Sequence, residues 1–119
     1  MNLTIELRSH TVDFLRVLAD TTRMEILDLL REGEKTSSEI QEQLDKSQST
    51  VSKHLNILDD NNLITYERRQ EEGGKSQNYY QIKYSKLFKL LKMIQAFVVD
   101  LNKEKIKELR DLDVRDTLI

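Results

Sequence analysis

The chain has no cysteine, no proline and no tryptophan, and only three glycines in 119 residues. Without cysteine it has neither disulfides nor thiolate metal sites, and nothing points to an oxidising compartment. So few breakers favour helix over most of its length. No apolar run approaches the ~18 residues that span a bilayer, so no membrane partner is expected. The opening "MNLTIELRSH" has no basic stretch followed by an apolar block, so no signal peptide is expected there and the cytoplasm is the predicted location. No nucleophile elbow, phosphate-binding glycine loop or His–carboxylate motif is present, which argues against an enzyme.

What is present is charge, at 34% of residues, with a net of −2. It is unevenly placed. Residues 1–45 hold ten acidic and five basic side chains, whereas 46–83 hold six basic and five acidic. This is not the strongly basic field of an avid, non-specific nucleic-acid binder. A chain of this length suggests one domain, 1–119, with a modest core.

Apolar periodicity predicts a first helix over 5–19, with Leu7, Phe14, Leu15 and Leu18 on one side. Asp20 is a good N-cap for the next helix, and Gly33 should stop it. A helical core spans 20–60. Within it, Thr36 and Glu39 have capping-box spacing, Asp45 and Lys46 make a polar turn, and Ser47 caps a second short helix. Residues 36–60 thus have the pattern of a helix-turn-helix. From 62 to 84 the period shortens to two around Gly73-Gly74, which predicts a two-stranded hairpin. A long helix follows over 85–109. Leu87, Leu91, Ile94, Val98 and Leu101 keep a four-three rhythm, widened by Leu90, Met93 and Phe97. That stripe is broader than one small domain covers, so a homodimer is expected through it and the first helix, with Phe14, Leu87, Leu91, Ile94, Phe97, Val98 and Leu101 at the interface. The closing "DLDVRDTLI" is mixed and predicted to fray. The fold class is mainly α with a small β-hairpin.

The helix "QSTVSKHLNIL", 48–58, decides the functional reading. On a wheel Val51, Leu55 and Leu58 face inward, and Gln48, Ser49, Ser52, Lys53 and Asn56 fill an outer arc of about 140°. Short donors and acceptors with one cation can approach base edges and phosphates in a major groove. Ser47 leaves the positive helix end free to meet a phosphate. Thr50, His54 and Ile57 lie at the borders.

Four stretches together resemble the ArsR family of winged-helix transcriptional repressors: "LADTTRMEILDLL" (18–30), "SSEIQEQLDKSQSTVSKHLNILDDNNLI" (37–64), "GGKSQNYYQI" (73–82) and the terminal amphipathic helix. The resemblance implies a winged helix-turn-helix flanked by N- and C-terminal dimerisation helices, binding double-stranded DNA as a homodimer. By position it places Gln48, Ser49, Thr50, Ser52 and His54 at DNA, and makes 62–84 the wing, with Arg68, Arg69 and Lys75 toward phosphate or minor groove. The family's frequent metal sites have no counterpart here. Cysteine is absent, the two histidines lie far apart, and the terminal helix offers only Asp100, Glu104 and Glu108. No metal or cofactor is therefore expected, and the effector, the operator and the choice between repression and activation stay open. Departures from the family pattern are Thr21 in place of a usual Pro, and Asn61 where Gly is common, Asn being able to serve as a left-handed cap. Glu71 and Glu72 near the wing tip should repel phosphate. The alternative is a winged-helix module that binds protein and no operator.

Overall fold

The computed structural model describes residues 2–118, with side chains described for 2–111. The element order is α1 (Leu3–Leu18), α2 (Thr21–Arg31), β1 (Lys35–Thr36), α3 (Ser37–Leu44), α4 (Gln48–Asp60), β2 (Ile64–Gln70), β3 (Ser76–Ile82), α5 (Ser85–Leu101) and α6 (Lys103–Leu118). The chain divides into two units after residue 85.

In the first unit the helix starts are set by local side chains. Asp20 accepts from the Arg23 N–H at 3.0 Å and caps α2. Thr36 and Glu39 form the full capping box of α3, with bonds of 3.2 and 3.0 Å. Ser47 accepts from the Thr50 N–H at 3.3 Å and caps α4. Each such cap satisfies donors that a helix start would otherwise leave open, worth about 1 kcal/mol. The α3–α4 turn closes on Asp45, a non-glycine residue with φ of +53°.

The core of this unit is a helical layer backed by the sheet. Ile26, Leu27 and Leu30 of α2, Ile40 of α3, and Val51, Leu55 and Leu58 of α4 are all buried, as is Ile64 at the root of β2. Full burial of a side chain of this size contributes roughly 1.5–3 kcal/mol. α4 packs against α2, α3 and β2, which leaves its opposite face to solvent.

The hairpin is there, but the sheet has three strands in the order β1-β3-β2, all antiparallel. β1 pairs Lys35 with Tyr80 and Thr36 with Tyr79. Two residues carry no detectable period, so this strand left no trace in the sequence pattern. In the hairpin Tyr66 pairs with Tyr80 and Arg68 with Asn78. The two Tyr rings lie 5.5 Å apart, within the range of aromatic pairs. Gly73 and Gly74, at φ of +91° and +84°, make the wing tip. The left-handed residue after α4 is Asn62, at φ of +62°, and not Asn61. Asn61 instead closes α4 with its side-chain amide on the Ile57 carbonyl, at 2.7 Å.

In the second unit, the single helix expected over 85–109 is two. α5 ends at Leu101, and Asn102 breaks the run. Its amide donates to the Val98 carbonyl at 2.8 Å, the local side-chain bond by which Asn competes with helix. α6 runs to Leu118, past the predicted end at 109. Of the tail predicted to fray, the side chains from 112 onward lie outside the described residues. Leu87 and Leu91 are buried within the single chain, whereas Met93, Phe97, Val98 and Leu101 are exposed. The first two are core residues and not free interface, because their apolar surface is already out of water.

Candidate nucleic-acid interface

The outer face of α4 is built as its wheel suggests. Gln48, Ser49, Lys53 and Asn56 are exposed and Ser52 is half-buried. Among the described residues, the side chains of Gln48, Ser52, Lys53 and Asn56 make no hydrogen bond or ion pair. Their donors and acceptors are therefore open to a ligand. Ser47 and Thr50 are partly spent on the cap, where Ser47 Oγ lies 2.9 Å from Thr50 Oγ1 and 3.2 Å from Ser49 Oγ.

His54 does not share this face. It is 8% exposed, and its Nδ1 lies 3.1 Å from Arg23 Nη1 and 3.8 Å from Asp20 Oδ1. Burial holds its pKa below that of an ordinary imidazole, opposed by the Asp20 carboxylate. A buried ring held by α2 has no reach to a phosphate, so His54 leaves the set of candidate DNA contacts.

The wing meets the foot of α4 in a polar cleft. Gln48 and Ser52 line one side, Ser37 sits at the start of α3, and Arg68, Ser76, Gln77, Asn78 and Tyr80 come from the hairpin. Arg68 is exposed, and Nη1 donates to Asn78 Oδ1 at 3.2 Å across the strand pair. Asn78 and Ser37 were not singled out from sequence. The turn centred on Gly73 fixes the hairpin register, so the Arg68–Asn78 pair was legible; the approach of Ser37 was not, being a tertiary contact.

Arg69, one residue on, points the other way, as strand alternation requires. Its guanidinium forks onto Glu34 at 2.5 and 2.9 Å, reaches Glu67 at 3.0 Å, and lies 4.5 Å from the centroid of the Tyr79 ring. The Arg69 bond holds the Glu34 carboxyl below its usual range, and Glu34 in turn raises Arg69. Arg69 is thus a strap between the α2–β1 loop and the wing, with two carboxylates already on it. It is not placed to meet phosphate. Glu71 is engaged as well: it accepts from the Tyr79 hydroxyl and from Gln77 Nε2 at 2.9 Å. That bond raises the Tyr79 pKa and occupies its hydroxyl. Lys75, at the wing tip, is exposed and unpaired among the described residues.

Among the described residues no three His, Asp or Glu side chains converge as metal ligands, and no helix is long and apolar enough to cross a membrane.

Residues 20–66 match the family model described as bacterial regulatory protein, arsR family. The segment that carries the helix-turn-helix is thus similar to that family. The chain is similar to the arsenical resistance operon repressor of Staphylococcus aureus, 38% identical over 71 residues, covering 60% of this chain and 64% of that protein. It is also similar to the transcriptional repressor SdpR of Bacillus subtilis, 39% identical over 54 residues, covering 45% of this chain and 60% of that protein. The chain therefore spans less than two thirds of the length of these curated relatives. Among solved structures, the homodimeric winged helix-turn-helix DNA-binding domain Mb0332 of Mycobacterium bovis superposes with a TM-score of 0.68 at 26% identity. That match covers 82% of this chain and 86% of that one. The fold is accordingly a winged helix-turn-helix, with the β2–β3 hairpin as wing.

Proposed function

We propose that this chain is a dimeric, sequence-specific DNA-binding transcriptional regulator, a repressor like its relatives, acting in the cytoplasm by binding and not by catalysis. The observation that carries this is the unpaired polar face of α4 lying beside a wing cleft that holds Arg68. In this reading α4 enters the major groove. Gln48, Ser49, Ser52 and Asn56 meet base edges, and Lys53, Arg68 and Lys75 meet phosphates. Dimerisation uses the apolar residues that the single chain leaves exposed. These are Leu3, Ile5, Leu7 and Leu15 on α1, and Met93, Phe97, Val98 and Leu101 on α5. Exposed apolar surface of that extent marks an interaction face, and the Mb0332 domain is a homodimer.

Fluorescence anisotropy with a labelled duplex of the DNA upstream of its own gene tests the reading. Affinity should fall steeply as salt rises, because each phosphate contact releases counterions. Arg68→Ala should weaken binding uniformly across sequences and lower the log–log salt slope by about 1. Arg69→Ala should leave that slope unchanged, since its charge is already spent on Glu34 and Glu67. No salt-dependent affinity for any upstream segment would overturn the proposal.

A further inference from the structure

Arg23 spreads its guanidinium over three parts of the first unit. Nε donates to the Val17 carbonyl at 2.5 Å and Nη2 to the Arg16 carbonyl at 3.3 Å, both at the end of α1. Nη1 meets His54 Nδ1 on α4 at 3.1 Å, and lies 3.9 Å from Asp20 Oδ2 at the start of α2. A guanidinium offers donors only and stays charged in proteins. His54 Nδ1 is therefore the acceptor, so the ring is neutral with its proton on Nε2. The ring projects from the inner side of the helix whose outer side carries Ser52 and Lys53.

We propose that Arg23 positions the recognition helix through His54, and that protonation of His54 Nδ1 breaks this tie and releases DNA. The inference rests on the DNA-binding reading above. A proton on Nδ1 removes the acceptor and sets two cations about 3.1 Å apart. The charged groups acting on the ring are Asp20 and Arg23 from α2 and its cap, Lys53 from α4 itself, and Lys46 from the α3–α4 turn; α3 and β2 add none to this set. Asp20 alone favours the imidazolium, and its Oδ1 is already engaged by the Arg23 N–H. Burial outweighs it and holds the proton affinity of the ring below that of an ordinary imidazole. The native proton affinity is thus below the unfolded one. The tie is intact above the ordinary His range near pH 6.5 and is lost as pH falls through the lower native value.

The test is anisotropy of the full chain on the upstream duplex from about pH 7.5 to about pH 5, with far-UV circular dichroism at each point. Wild type should lose affinity toward acid, by up to about tenfold per pH unit once pH is below the native His54 value, while its helix signal holds. His54→Asn keeps a non-titrating acceptor near the Nδ1 position. It should bind within about threefold of wild type at pH 7.5 and keep that affinity into acid. Identical pH profiles for the two proteins overturn the inference, as does helix loss in step with binding loss. If wild type binds no upstream DNA even at pH 7.5, the DNA-binding reading itself fails and the inference falls with it. Nitrogen-15 shifts of the His54 ring in the wild type, read without DNA, stand apart from the variant's folding. They should show the Nε2–H tautomer at neutral pH, and a proton on Nδ1 there would contradict the tie.

Discussion

Ser52→Glu combined with Lys53→Glu is expected to weaken binding to upstream DNA by about 100-fold or more while leaving the fold intact. The two substitutions add two carboxylates and remove one ammonium, a change of three charge units per subunit on the outer face of α4. A unit charge about 4 Å from another in water is worth about 1 kcal/mol, so three near phosphate cost roughly 3 kcal/mol, and every 1.4 kcal/mol is about tenfold. Salt should shrink the difference, since exposed charges are screened within about 10 Å at 0.1 M. Neither side chain has a hydrogen bond or ion pair to lose, so stability should move by less than about 0.5 kcal/mol. Anisotropy and thermal melting of the double variant measure both. Affinity within about threefold of wild type would show that this face is not the one that meets DNA.

The second large effect is on stability. Leu55 is 1% exposed on the inner side of α4, beside Val51 and Leu58. Leu55→Ala removes its buried methyl groups and leaves a cavity that the capped, tightly turned surroundings cannot close. The expected cost is about 2–5 kcal/mol, against a total of about 5–15 kcal/mol for a domain. Urea denaturation should show a lower midpoint at nearly the same m-value. DNA affinity should suffer as well, because α4 carries the proposed contact face and the core side chains together. A loss below about 1 kcal/mol would mean that α4 is not anchored through this seam.

Much of this was legible because it is local. The caps at Asp20, Thr36 with Glu39, and Ser47 depend on residues two or three positions away, and each sits where its spacing put it. The wing was legible because Gly73-Gly74 marks its centre and alternation marks its arms. The inward set Val51, Leu55 and Leu58 followed from helical period alone. What escaped the sequence depends on tertiary neighbours. His54 lay at the border of the wheel, and only the approach of Arg23 turns it inward. Arg68 and Arg69 read alike as wing cations, although a strand must send adjacent residues to opposite faces; which of them would find Glu34 depended on the α2–β1 loop. Leu87 and Leu91 fit the apolar rhythm of α5 as well as Phe97 and Leu101 do, and period cannot tell a covered residue from an open one. The break at Asn102 rests on one side-chain bond within an otherwise continuous pattern.

The proposal as a whole stands on two recognition helices of one dimer held at the pitch of duplex DNA. Hydroxyl-radical footprinting of the wild-type protein on the DNA upstream of its gene measures this directly. Two protected patches on the same face of the duplex, centred about 34–36 Å apart in a two-fold related sequence, are the predicted result. A single unpaired patch, or uniform protection without sequence preference, would contradict it.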